Sequence, residues 1–379
     1  MQSQANRKKS ALSRTPPSSA SLVRPSKPAA KPLPKLNGKA KPLAVVPELC
    51  DPGDVKIAAQ ILELLKGAKT VLIAGHERPD GDCIGSGVGL CSALRSAGFD
   101  AQVVNADAVP DRFAYMNPGG LARQAKPGEI FHADVLFVID STDLSRLGKL
   151  KREQFHVKSV IDIDHHLRNP NFGDVNWVLT EASSTGELIW RLIACCGWKI
   201  PQAGLDALYT AIMTDTGQFA YANTSARVLR IAAWLVEHGA NPEEIWRQNY
   251  LNKSPNEIAL ESRARASLET LAGGKICCIS LKQSDFAATS TGPQHTEEFA
   301  SIPRSVSGVE LALFMYEINN GQGTKVSVRT MGHIDATKLA GQFGGGGHRQ
   351  AAGCTLPFSL DIAKPKVFEK AEALVRSLK

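Results

Sequence analysis

The chain has 379 residues, of which 43% are hydrophobic, 21% charged and 6% aromatic, with eight cysteines and a formal charge of +7. At roughly 100–200 residues per domain this is material for two domains, each with its own core. No run approaches the roughly 18 consecutive apolar residues of a membrane helix, so no membrane span is expected. Eight sparse cysteines with no Cys-x-x-Cys pair support neither a disulfide framework nor a cysteine zinc site. The neighbours Cys195–Cys196 and Cys277–Cys278 sit in apolar segments and read as reduced core side chains, as in a cytoplasmic protein.

The charge is unevenly placed. Residues 1–46 carry ten Lys/Arg and no Asp/Glu, so +7 less +10 leaves −3 on the remainder. The folded part is mildly acidic, and its charge does not announce a nucleic-acid binder. With seven Ser, seven Pro and almost no apolar cluster, the 1–46 segment is expected to be a disordered basic tail. Three roles stay open for it: a solvated tail, an arm for RNA or another polyanion, or an organelle transit peptide. Its prolines count against a targeting helix, and the lack of an apolar h-region counts against secretion.

From about residue 53 the pattern becomes globular. Ile57, Ile61, Leu64 and Leu65 keep helical spacing between Asp54 and Gly67. Strands are predicted at 70–74, 101–105, 135–139 and 159–163, with helices at 84–97, 184–196, 205–213 and 226–238. This alternation predicts an α/β domain over 50–238, a parallel sheet with helices on both faces. A polar, charged helical stretch interrupted by Gly239, Asn241–Pro242 and Ser254–Pro255 reads as a connector over 239–262. Strands predicted at 275–280, 309–318 and 324–329 belong to a smaller α/β domain over 263–379. It ends in the run Gly344–Gly347 and a helix from about Pro365.

The acidic and imidazole side chains fall at the ends of these apolar elements. The first strand runs into Gly75-His76-Glu77-Arg78-Pro79-Asp80-Gly81-Asp82, the third ends on Asp140, and the fourth on Asp164-His165-His166. The helix 205–213 ends on Asp215-Thr216-Gly217. A parallel sheet places all its carboxyl ends on one edge, where ligands bind, so these groups converge on one crevice. Such crowding is prohibitive unless cations neutralise it. Asp80, Asp82, Asp140 and Asp215 bring four negative charges, and two divalent ions balance them. Mixed carboxylate and imidazole donors suit Mn2+, and two such ions form a phosphoryl-hydrolysis clamp. Gly85-Ser86-Gly87-Val88-Gly89 does not complete a dinucleotide-binding fingerprint, because Leu90 stands where the last glycine belongs. These glycines are read as letting the helix approach the sheet.

These motifs resemble the DHH phosphoesterases, which take their name from the triplet seen here as Asp164-His165-His166. His76 to Asp82 with Ile84-Gly85-Ser86 matches the family's opening motif, Asp140 its second and Asp215-Thr216-Gly217-x-Phe219 its fourth. The run Gly344 to Gly347 with His348, followed by Ala351-Ala352-Gly353, is similar to the DHH-associated substrate domain. The resemblance implies one ion on His76, Asp80 and Asp140, and a second on Asp82, Asp140, His165 and Asp215, with an activated hydroxide as nucleophile. It implies Asp164 as an orienting carboxylate and His166 facing the scissile phosphate. Arg329, Gly345, Gly346, Gly347 and His348 are the expected substrate contacts, and Arg304 lies in the same domain with nothing to place it.

Within the family, the compact two-domain form resembles the nanoRNases, which degrade short oligoribonucleotides and dephosphorylate 3′-phosphoadenosine 5′-phosphate. The expected partners are short single-stranded RNA or nucleotides, with no membrane; a homodimer and the polarity of attack are left open. The alternatives are a phosphodiesterase for linear or cyclic dinucleotides and a catalytically silent nucleotide-binding protein. Exposed charges are screened beyond ~8 Å at physiological salt, so the tail is expected to be dispensable for chemistry. Deleting residues 1–46 should leave turnover of a dinucleotide nearly unchanged and weaken binding of a longer RNA, most clearly at low salt. Equal loss on both substrates, read from initial rates, would contradict the disordered-arm reading.

Overall fold

The structure is a computed structural model, and it describes residues 49–377 apart from Gly332 and His348 and the side chain of Glu297. The expected tail therefore lies outside the described residues.

Six strands form the first sheet: β1 (Thr70–Ala74), β2 (Asp100–Asn105), β3 (Ala122–Gln124), β4 (Phe131–Ile139), β5 (Phe155–Asp164) and β6 (Val175–Val178). Their order is β3-β2-β1-β4-β5-β6, and every pairing is parallel. The chain builds outward from β1 in one direction and then, from β4, in the other. The gap between the carboxyl ends of β1 and β4 is the switch point, where parallel sheets form a crevice. The strands predicted from sequence match β1, β2, β4 and β5; β3 and β6, not predicted, are edge strands of only three and four residues.

The helices of this part are α1 (Pro52–Leu65), α2 (Gly81–Ser96), α3 (Thr185–Cys196), α4 (Gln202–Asp215) and α5 (Ala226–Glu237). They share one core cluster with Ile73, Val103, Phe137, Ile139 and Ile161 on one face of the sheet. The opposite face, carrying Ala74, Val104, Leu136 and Val138, is covered by Leu147 and Leu150 beside the 3₁₀ turns Leu144–Leu147 and Arg152–Gln154. The cover is thus unequal, with the long helices gathered on one side.

Two short helices follow, α6 (Pro242–Tyr250) and α7 (Pro255–Ala266), each opening with proline after an Asn or Ser cap. The second sheet comprises β7 (Glu269–Leu271), β8 (Ile276–Leu281), β9 (Leu311–Ile318), β10 (Gly323–Thr330), β11 (Gly346–Gly347) and β12 (Ala351–Leu356), in the order β11-β12-β10-β9-β8-β7. Only β8–β9 is parallel. Helices α8 (Gln283–Thr289), α9 (Ser301–Arg304), α10 (Ala336–Gly341) and α11 (Leu360–Arg376) complete it. Helix α11 begins five residues before the Pro365 expected to start it. Pro365 sits inside the helix, where it removes a single backbone donor.

The glycines of α2 serve two neighbours. A Cβ on Gly85 would lie 2.4 Å from the Ala207 carbonyl oxygen, and one on Gly89 would lie 2.6 Å from the Leu208 side chain, so both admit α4. Gly87 faces Val103 of β2, the sheet contact foreseen for these glycines. This approach carries Asp215, at the end of α4, to the sheet edge. Gly85→Ala should cost roughly 1–3 kcal/mol despite alanine's better helix propensity, because backbone must shift. Gly53→Ala in α1, where a Cβ meets nothing within 4 Å, should be neutral or stabilising. Denaturant midpoints of the two variants check the contrast.

Candidate active site at the switch point

The loop after β1 bends back to start α2, and Asp80 caps that helix by accepting hydrogen bonds from the Asp82 and Cys83 amides at 3.0 and 3.1 Å. His76 Nδ1 lies 2.8 Å from the Glu77 carbonyl, which can only accept, so the proton is on Nδ1. Nε2 is the atom that faces the carboxylates, 3.4 Å from Asp140 Oδ2 and 3.8 Å from Asp80 Oδ1, and would be the atom offered to a cation.

Asp140 follows β4 with φ of +52°, an unusual conformation for a non-glycine residue. One of its oxygens accepts from Thr185 Oγ1 at 3.2 Å. Asp82 is held by the start of α3, accepting from the Thr185 amide at 2.7 Å and the Gly186 amide at 2.9 Å, and by Ser86 Oγ at 2.9 Å. These amides belong to a helix N-terminus, which favours negative charge.

His165 Nε2 lies 3.5 Å from Asp215 Oδ2, 3.6 Å from Asp140 Oδ1 and 3.7 Å from Asp82 Oδ2. Burial first, then the carboxylates of Asp140 and Asp215, push the Asp82 carboxyl well above its ordinary range. Burial, Asp80 and Asp140 do the same to Asp215. Without a cation these side chains cannot all be ionised together. Three sets of donor atoms, His76–Cys83–Asp140, Asp140–His165–His166 and Asp82–His165–Asp215, each fall within 4.8 Å. Oxygen and imidazole donors at this density fit divalent metal ions. All six expected metal ligands thus meet at one edge, and Cys83 stands with them although sequence reading classed it as core.

Asp164 and His166 make the expected pair, with His166 Nδ1 2.7 Å from Asp164 Oδ1. Burial opposes the Asp164 carboxylate, and its hydrogen bonds with His166 and Asn169 bring its pKa below the ordinary range. Asn169 Nδ2 donates to Asp164 Oδ2 at 2.9 Å and lies 3.2 Å from Asp162 Oδ1. Sequence reading passed over Asn169 and Asp162. The signal was present for Asp162, because residues i and i+2 of a strand share a face and it stands two before Asp164.

In the second sheet β10 alternates, with Val326, Val328 and Thr330 buried and Lys325, Ser327 and Arg329 half-buried on the other face. Burial, with Arg78 from the first-motif loop, depresses the Lys325 ammonium. Burial also lowers the pKa of Arg329, with Tyr221 and Arg304 among its neighbours. The Arg304 guanidinium lies over the Tyr221 ring at 4.6 Å from its centroid, which places the arginine that sequence left unplaced. A cavity of about 400 Å³ lined by Thr214, Gly217, Tyr221, Arg112 and Arg329 joins the flank of Asp215 to β10. Gly345 and Gly347 have a structural duty. A Cβ there would meet the Gly353 oxygen at 2.2 Å and the Ala351 oxygen at 2.5 Å, closing off the β11–β12 hairpin. Gly346 is open, and His348 lies outside the described residues.

Asp162 is fully buried, and its second oxygen lacks a partner among the described residues. Burial and the Asp164 carboxylate raise it to about 7. Below pH ~4 folded and unfolded chains both hold the proton. As pH rises towards 7 only the unfolded chain loses it, so stability falls, and above 7 the loss is complete at roughly 4 kcal/mol. Asp162→Asn does not titrate. In chelator-treated protein its stability advantage over wild type should grow between pH 4 and 7 and then level off. A pH-independent difference in denaturant midpoint would contradict this.

Residues 70–212 match the DHH family, N-terminal domain, and residues 282–377 match the DHHA1 domain. The chain is 31% identical over 325 residues to the bifunctional oligoribonuclease and PAP phosphatase NrnA of Thermus thermophilus, spanning 85% of this chain and 95% of that one. Identity with the protein of that name from Bacillus subtilis is 26% over 300 residues, 78% and 91% of the two chains. Among solved structures, an exopolyphosphatase-related protein from Bacteroides fragilis matches with a TM-score of 0.78 at 27% identity, covering 85% of this chain and 97% of that one. Likeness of this extent, running through both sheets and nearly the full length of the relatives, is common descent, and the chain belongs to the DHH family with its DHHA1 domain.

Proposed function

We propose that the protein is a metal-dependent phosphoesterase that hydrolyses short oligoribonucleotides to mononucleotides and 3′-phosphoadenosine 5′-phosphate to AMP. The observation that carries this reading is the single ring nitrogen of His165 facing three carboxylate oxygens at 3.5–3.7 Å. In this reading His76, Asp80 and Asp140 hold one divalent ion, and Asp82, Asp140, His165 and Asp215 hold the other. Mn2+ is the ion that suits the oxygen and imidazole donors. When bound, such ions lower the pKa of water and supply positive charge beside the phosphoryl oxygens.

The chain's own residues do the rest. The hydrogen bond of His166 Nδ1 to Asp164 orients the ring and leaves Nε2 for an oxygen of the scissile phosphate. Asn169 steadies Asp164 from its other oxygen. Arg329 offers a bidentate fork to a phosphate, and no carboxylate is among the groups that shift its pKa. Lys325 and Arg329, four residues apart on one face of β10, span about 13 Å of backbone. That row suits a short polyanion. The backbone of Gly345, Gly346 and Gly347, with His348, completes the substrate side of the reading. All eight cysteines are free thiols, which suits a reducing compartment such as the cytoplasm.

The test is release of mononucleotide from an RNA dinucleotide, run beside 3′-phosphoadenosine 5′-phosphate and cyclic dinucleotides, with and without Mn2+. Turnover of cyclic dinucleotides alone, or none at all, would sink the proposal. Asp140 stands in both donor sets. Asp140→Asn should therefore abolish turnover and lower metal content measured by elemental analysis, with the circular dichroism spectrum preserved. Near wild-type turnover would remove the shared-ligand role.

A further inference from the structure

The metal reading uses aspartates and histidines, yet a thiol stands among them. Cys83 is the third residue of α2 and is 1% exposed. Its sulfur, a ring nitrogen of His76 and a carboxylate oxygen of Asp140 all lie within 4.8 Å of one another. The neighbouring glycine makes room for it, since a Cβ on Gly75 would sit 2.3 Å from Cys83 Sγ. Among the described residues no hydrogen bond is made by that sulfur, whereas the Cys91 thiol donates to the Ala101 carbonyl at 3.3 Å. A buried thiol with no hydrogen bond among the described residues, beside an imidazole and a carboxylate, is a donor set of Cys–His–Asp type. Zinc-type ions take sulfur at about 2.3 Å and imidazole nitrogen at about 2.0–2.1 Å, so S and N on one ion are separated by at most about 4.4 Å. At a tetrahedral angle that separation is about 3.5 Å, so atoms lying within 4.8 Å of one another close by on the order of 1 Å at most.

We propose that Cys83 is a sulfur donor to the ion held by His76, Asp80 and Asp140, and that this position selects a sulfur-tolerant divalent ion such as Zn2+, Co2+ or Fe2+. The position formed by Asp82, His165 and Asp215 has only oxygen and nitrogen donors and keeps its preference for Mn2+. The two halves of the centre are therefore chemically unlike. As the sulfur–metal bond forms, the S–H proton leaves to water, as it does for any coordinating thiol. The inference rests on the metal placement proposed above.

Cobalt reports the bond directly. The full chain, stripped of metal with a chelator, is titrated with Co2+ while its absorption is recorded. Wild type should develop a near-ultraviolet thiolate-to-cobalt charge-transfer band as the first equivalent binds, and Cys83→Ser should lose that band. The serine variant keeps the other seven thiols, so a band that persists in it comes from elsewhere and overturns the proposal. A wild-type titration with no such band overturns it as well, whether or not the variant folds; Cys83→Ala provides a second comparison. Wild-type hydrolysis of an RNA dinucleotide is measured in parallel. Turnover without the band leaves the phosphoesterase standing and removes the sulfur donor, while the band without turnover does the reverse.

Discussion

Like charges held together against their repulsion are the constraint on which the catalytic half of this molecule depends. Asp82, Asp140 and Asp215 converge on one imidazole nitrogen, and nothing in their mutual interaction favours that. Three of the four carboxylates are held in place by groups other than a cation. Asp80 caps α2, Asp82 rests on the first amides of α3, and Asp140 takes the Thr185 hydroxyl. The fold therefore meets the repulsion in advance, using helix N-termini whose dipoles favour anions. Asp215 is different. It is the last residue of α4, where the helix end is itself negative, so it has the most to gain from a cation.

Topology decides which side chains can share an ion. β1 and β4 are neighbours in the sheet although two strands separate them in the chain. His76 follows one and Asp140 ends the other, so the switch point sets them 3.4 Å apart. β5 lies on the far side of β4 and delivers His165 to the other oxygen of Asp140. The central position of β4 is thus the reason one aspartate faces both imidazoles. Its left-handed backbone, φ +52°, turns the side chain across the strand ends where an extended residue would point above or below the sheet.

Much of this was legible because apolar runs that end in acid are conspicuous. β1, β4 and β5 could be read from their apolar runs alone, and the residues following them are the candidate site. What escaped reading had weak local signals. β3 and β6 are short edge strands, and β11 consists of two glycines whose pairing with β12 is set by contact across the hairpin. Pro365 looked like a helix start, but Ser359 opens the helix and tertiary packing of Leu360 and Ala363 carries it past the missing donor. Cys83 followed the rule that a lone thiol in an apolar stretch is core. Only the fold shows that its neighbours in space are His76 and Asp140. The amides of Thr185 and Gly186 carry no sequence signal whatever, since any residue has one.

The second sheet contributes charge of the opposite sign. Strand alternation puts Lys325 and Arg329 on one face of β10, with Arg78 near the first and Arg304 near the second. Four cations thus stand close together in two pairs, an arrangement that costs free energy in the absence of anions. The acidic edge is incomplete without cations, and in the basic row only Arg78, among the described residues, has a carboxylate partner, Glu77 at 3.3 Å. A phosphate ester with its divalent ions supplies both deficits at once. In the proposed reading the ions would answer the aspartates, and the ester oxygens would answer the ions and the arginines together. Binding a neutral ligand would satisfy neither set. In the proposed reading the electrostatics of the two sheets favour an anionic ester before any base-specific contact is considered, and the short span of the β10 row favours a small one.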